Sequence, residues 1–150
     1  MSAKNPIRVF VTHAFAGHPD YHRVFEYMES ATNFFYQNCS VPDHPPATGG
    51  KEGLKEEYRK QLKTAEVVVV LSSLYIENEY WATYQMDAAQ ASNLPLVALG
   101  LFGSATKVPA EIVKRAVEIV DWNERQIVDA IRRQARHEAT NRWETIEFKL

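Results

Sequence analysis

The chain has 150 residues, 45% of them hydrophobic and 24% charged, with a formal net charge of -2. One domain with a sizeable core fits that length, and the near-neutral charge without a Lys/Arg stripe excludes an electrostatic nucleic-acid footprint. Cys39 is the only cysteine, no apolar run approaches a membrane span, and the opening residues MSAKNPIRVF lack the apolar stretch of a signal peptide, so the chain reads as cytoplasmic, without a disulfide or a membrane partner.

In chain order, Ile7 to Thr12 (IRVFVT) predicts a first strand, with Pro6 at its start. His13 to Asp20 carries turn residues, and a helix is expected to begin near Pro19, a residue type tolerated in a first turn. Tyr21, Val24, Phe25 and Met28 recur at helical spacing and form its buried stripe. Phe34 to Gln37 reads as a short aromatic strand. The next stretch, Cys39 to Gly53, holds prolines and glycines that argue against regular structure, so it is expected to be a mobile lid or an assembly surface. Within it, GGKEG lacks P-loop spacing and reads as the end of that flexible loop. Leu54, Tyr58 and Leu62 mark one face of a second helix.

The centre of the chain is the run from Val67 to Leu71, VVVVL. β-Branched residues suit an extended backbone, and an unbroken apolar run means that both faces are covered, as in a central strand of a parallel sheet. Ser72 and Ser73 follow at its carboxyl end, and a short loop is expected to lead into a helix carrying Trp81 and Gln85. Pro95 to Leu101 is a fourth strand, a short helix is expected near Pro109 to Arg115, and Glu118 to Val120 is a brief fifth strand. Asn123 with Gln126 resembles a capping box for a last helix whose apolar face is Ile127, Val128, Ile131 and Ala135. Alternating strands and helices imply a parallel sheet with right-handed crossovers, and five strands give a flavodoxin-like α/β fold of order 2-1-3-4-5. Residues 1–136 form that domain; the tail 137–150, ending in TIEFKL, reads as an edge strand, a contact with another chain, or a frayed terminus.

Few motifs carry chemistry by themselves. His18 and His22 are spaced i,i+4, but Pro19 puts His18 at or before the helix start, where that geometry fails, so no metal site is expected. Cys39 has no nucleophile signature around it. Trp81 and Gln85 share a helix face. That pair is either an aromatic packed on the sheet beside a polar neighbour or two residues facing the cleft at the strand ends.

An ordered set of short motifs resembles a TIR-like domain, most closely those of the bacterial Thoeris anti-phage systems. The motifs are VFVTH at Val9 to His13, SVPD at Ser40 to Asp43, VVVVLSS at Val67 to Ser73, Trp81, the Val108-Pro109 pair, and VDWN at Val120 to Asn123. The resemblance implies an enzyme that cleaves the nicotinamide–ribose bond of NAD, as a glycohydrolase or an ADP-ribose cyclase, with NAD as substrate and no resident cofactor. It also implies self-association with like domains. The family's catalytic glutamate falls on Gln85, which keeps the shape of glutamate but carries no charge to stabilise an oxocarbenium-like ribose. A natural pseudoenzyme and an engineered glutamate-to-glutamine exchange both account for that departure. By the same resemblance Thr12, His13 and Phe15 line one wall of the site, Ser72, Ser73 and Trp81 the other, and the Pro42-Asp43 loop is the lid. The competing expectation is a non-catalytic scaffold that signals by self-association.

Overall fold

The structure, a computed structural model, describes residues 1–104 and 107–138. Five parallel strands form one sheet of order β2-β1-β3-β4-β5: β1 (Ile7–Val11), β2 (Tyr36–Asn38), β3 (Val67–Leu71), β4 (Leu96–Leu99) and β5 (Glu118–Val120). β3 is buried along its whole length and pairs with β1 on one side and β4 on the other, in the register Val9↔Val67 and Val69↔Val97. The valine run therefore takes the central position that its composition dictates.

Alternation along the strands divides the core in two. Val67, Val69, Leu71, Val97 and Leu99 face α1 (Pro19–Ser30) and α6 (Glu124–Arg136), which contribute Val24, Met28, Ile127 and Ile131. Val68, Val70, Leu96 and Ala98 face α2 (Gly50–Leu62), α4 (Glu79–Ala91) and α5 (Ala110–Arg115), which contribute Tyr58, Leu62, Met86 and Ile112. The result is the flavodoxin-like three-layer arrangement that the strand count implied.

Several elements depart from their sequence expectation. The second strand runs over Tyr36–Asn38 rather than Phe34 to Gln37, because Phe34 is used as a core side chain under α1 and α6. No loop follows β3: α3 (Ser72–Glu77) begins at once, and Asn78, with φ -148° and ψ 69°, breaks it from α4. The GGKEG segment is not the end of a loop but the start of α2, capped by Gly49 in the left-handed region at φ 96°. Gly53 lies one turn on, where a Cβ would meet the Thr48 carbonyl at 2.5 Å, so only glycine fits this approach. The fourth strand is shorter than Pro95 to Leu101 and stops before Gly100, whose carbonyl accepts the Trp122 indole N–H at 2.8 Å.

The last helix is capped as the sequence indicates. Asn123 Oδ1 accepts from the Gln126 amide at 2.9 Å, and Gln126 Oε1 accepts from the Asp121 amide at 3.2 Å. Replacing Asn123 by alanine is expected to cost about 1 kcal/mol, read as a shift in the urea midpoint with unchanged slope. His137 ends α6 in the left-handed region, and the TIEFKL expectation lies outside the described residues. Among the described residues, no helix is long and apolar enough to cross a membrane.

Candidate functional site at the sheet switch point

In this strand order the chain leaves β1 towards β2 and later returns to β3, so the carboxyl ends of β1 and β3 frame the switch point where open α/β sheets take their ligands. The hydroxyls expected there are turned inward. Thr12 Oγ1 accepts from the Leu71 amide at 3.1 Å, and the Ser72 hydroxyl donates to the Leu99 carbonyl at 2.7 Å. Both residues are buried, and both tie one strand end to the next.

Gln85 lies on α4 and is 0% exposed. Its Oε1 accepts from the His13 amide at 3.0 Å, while its Nε2 donates to the His13 carbonyl at 2.8 Å and to the Trp81 carbonyl at 2.9 Å. The side-chain amide thus pairs with the His13 peptide groups as a neighbouring strand would, two residues beyond the end of β1. The Tyr58 hydroxyl adds a second donor to the His13 carbonyl at 2.6 Å.

The His13 ring extends the network. Its Nδ1 accepts from the Phe15 amide at 3.2 Å, so the proton of the neutral ring sits on Nε2, which donates to Gln61 Oε1 at 2.9 Å. Gln61 repeats the clamp of Gln85: Oε1 accepts from the Val41 amide at 2.8 Å, and Nε2 donates to the Val41 carbonyl at 3.2 Å. Burial holds the His13 pKa down from 6.5 to about 4, outweighing its Gln61 hydrogen bond and the nearby charges of Glu57 and Asp43. Phe15, at φ 56°, packs edge-on against the His13 ring with centroids 4.7 Å apart, and Tyr58, Trp81 and Tyr84 continue the aromatic cluster.

Gln85, His13, Thr12, Ser72 and Ser73 are buried, with Trp81, Phe15 and Pro42 half-buried and Asp43 exposed. The structure brings Gln85, Trp81, His13 and Phe15 together, but as a closed hydrogen-bonded and aromatic cluster. Ser73 belongs to a different set of contacts. The physical reason is that the Gln85 amide carries both a donor and an acceptor, and the His13 peptide groups use both. The loop expected to be a lid is clamped at its entry by Gln61 on Val41, and its tip, residues 43–45, is exposed. Asp87 points away from the switch point, to Arg115. His18 is the N-cap of α1, its Nδ1 accepting from the Asp20 amide at 3.0 Å. Cys39 is buried, its sulfur accepting from the Thr64 hydroxyl at 3.5 Å.

The sequence reading passed over Asp20 as a turn residue. It is buried, 6% exposed, in the first turn of α1. Its Oδ2 accepts from the Ser73 hydroxyl at 2.7 Å, across the switch point, and its Oδ1 accepts from Arg23 Nη1 at 2.6 Å. His18 Nε2 reaches Glu77 at 2.9 Å, and the Arg23 guanidinium lies 3.9 Å over the Phe102 ring. Only Arg23, at i+3 from Asp20, was a visible sign of this group.

No family model matches the chain, and no curated protein matches it. Among solved structures, a 3-dehydroquinate dehydratase-like protein from Bifidobacterium longum is similar over 93% of this chain and 100% of that one, at 11% identity and a TM-score of 0.47. A likeness at that level carries no argument about function.

Proposed function

We propose that this chain is a TIR-like module that does not cleave NAD and instead signals in bacterial anti-phage defence by assembling with like domains. The observation that carries the reading is the state of Gln85. The residue at the position of the family's catalytic glutamate is uncharged, 0% exposed, and committed through both ends of its amide to the His13 and Trp81 backbone. A carboxylate there would keep the bond to the His13 amide but turn its other oxygen towards two carbonyls. The NAD-cleaving alternative needs that carboxylate, together with an open path to it.

Support for assembly comes from the surface beside the loop. Ile76 and Tyr80 are 55% and 49% exposed, and Lys51, at the start of α2 where the loop ends, lies 4.6 Å over the Tyr80 ring. Apolar side chains next to a segment anchored at its entry form a preorganised contact surface. Two measurements test the proposal on the intact chain. Nicotinamide release from NAD, followed by chromatography at high protein concentration, is expected to stay at background. Sedimentation velocity over a concentration series is expected to show a species larger than one chain, lost in the Ile76→Asp/Tyr80→Asp double variant. Nicotinamide release by this chain, or a single-chain mass at every concentration, would overturn it.

A further inference from the structure

We propose that a groove between α1 and α6 is the docking site of this chain's own C-terminal segment, residues 139–150, anchored there by the Trp143 indole. The inference does not rest on the assembly reading, which uses Ile76 and Tyr80. The groove holds about 790 Å³ and is walled by the segment that follows α1, by Met1 and by α6. Its lining includes Ala31, Phe35 and Val128, and Phe35 is 39% exposed, an apolar ring that the fold leaves on the surface. Charges of both signs stand around them, among them Asp129 and Arg132. Arg132 reaches from α6 to the segment after α1: its Nη2 donates to the Asn33 carbonyl at 3.0 Å, its Nη1 donates to Asp129 at 3.3 Å, and its guanidinium lies 5.6 Å over the Phe34 ring. A planar cation held in this way is a platform on which an indole stacks.

The occupant follows from where the described chain ends. α6 does not run on past His137, whose φ of 56° turns the backbone, and the Glu138 amide donates back to the Arg132 carbonyl at 3.3 Å. The chain is thereby folded back over the last turns of α6. Glu138 itself lines the groove, its carboxylate 3.3 Å from the Met1 ammonium and 4.0 Å from Arg132. The sequence continues through residues 139–150. Extended, that segment reaches about 40 Å, whereas a helix of the length of α6 measures about 20 Å, so the segment can run the whole groove. It carries Trp143 close to the tether and then an alternating run in which Ile146, Phe148 and Leu150 share one side when extended. Arg142, Glu144, Glu147 and Lys149 bring both signs of charge to a rim that has both. A segment tethered at the edge of the groove also competes at an effective concentration on the order of millimolar, which favours it over a free partner of similar chemistry.

Trypsin tests this on the full chain, with the bond after Arg142 as the reporter and the fragments read by mass spectrometry. Each rate is taken relative to that of the free 139–150 peptide of the same sequence, which removes any change in the intrinsic susceptibility of the bond. Trp143→Ala and Phe35→Ser, one on each side of the contact, are each expected to speed cleavage at least about tenfold, because cleavage follows the population of the open tail. Cleavage after Arg59, inside α2, is expected to stay at the parent's rate, which separates undocking from unfolding. A second measurement needs no variant: proton NOEs from the Trp143 indole to the Val128 methyl groups, expected within one chain of the parent. Parent-like cleavage in either variant, or no such NOEs, would overturn the proposal. So would indole NOEs to Tyr36–Asn38, which put the tail on the outer edge of β2, or NOEs seen only between differently labelled copies, which make the tail an exchange between chains.

Discussion

Replacing Gln85 by glutamate is expected to destabilise the protein by about 3 kcal/mol at pH 7.5 and to leave nicotinamide release at background. The buried amide makes three hydrogen bonds, two of them as a donor. An ionised carboxylate keeps one of these and sets its second oxygen against the His13 and Trp81 carbonyls. A protonated carboxyl recovers one donor. Burial and those carbonyls therefore raise the folded-state pKa of the new group above its unfolded value near 4.3. For a carboxyl raised in this way, the variant is least handicapped below the unfolded pKa, and the deficit grows as pH rises towards the folded one. Urea unfolding at pH 4.5 and pH 7.5 reads this directly. A variant as stable as the parent at pH 7.5 would mean that the backbone clamp is not what holds this position, and release of nicotinamide by it would restore the enzyme reading.

The second large effect concerns His13. Its folded-state pKa is about 4, against 6.5 for the exposed group, because burial disfavours the imidazolium. Between those values the unfolded chain binds the proton and the folded chain does not, so stability falls as pH falls through this window. The loss amounts to about 3 kcal/mol over the whole interval. The structure gives the mechanism: a proton on Nδ1 would face the Phe15 amide, which now donates to that nitrogen at 3.2 Å. Carboxylates such as Glu66, held below the usual range by Arg136, lose stability in the same direction at lower pH, so the informative quantity is a difference. Against His13→Gln, which keeps a donor but does not titrate, the parent should show the steeper decline in urea midpoint between pH 6.5 and 4.5. Parallel curves would exclude His13 as the acid-sensitive group.

How much of this could be read from the residues alone depends on whether the cause is local. Val67 to Leu71 declared a central strand because an apolar β-branched run has no solvent face to offer, and Glu118 to Val120 and the Asn123 cap were set by neighbours within a few positions. α3 was missed because Ser72 and Ser73 look like turn residues, while their hydroxyls are in fact used by Leu99 and Asp20, far away in the chain. The site was half legible. Spacing put Trp81 and Gln85 on one face, and the resemblance brought His13 to them. Nothing in the sequence indicated that Gln85 would spend its amide on a peptide 72 residues away, or that Asp20 would cross the switch point. Such pairings are fixed by tertiary geometry, which has no periodicity to betray it.

The two glutamine clamps also bear on how this fold would drift over evolutionary time. Gln85 recognises the His13 peptide unit and Gln61 the Val41 peptide unit, so the side chain at position 41 is invisible to the bonds that hold it, while the His13 ring is itself read by Gln61 Oε1. A descendant could exchange the side chain at 41 freely, and the one at 13 only for another that fits the aromatic cluster and donates to Gln61, while an amide persisted at 61 and 85. Because backbone is common to every sequence, such a lineage would keep its architecture long after pairwise identity had faded, with two isolated glutamines as its most durable trace.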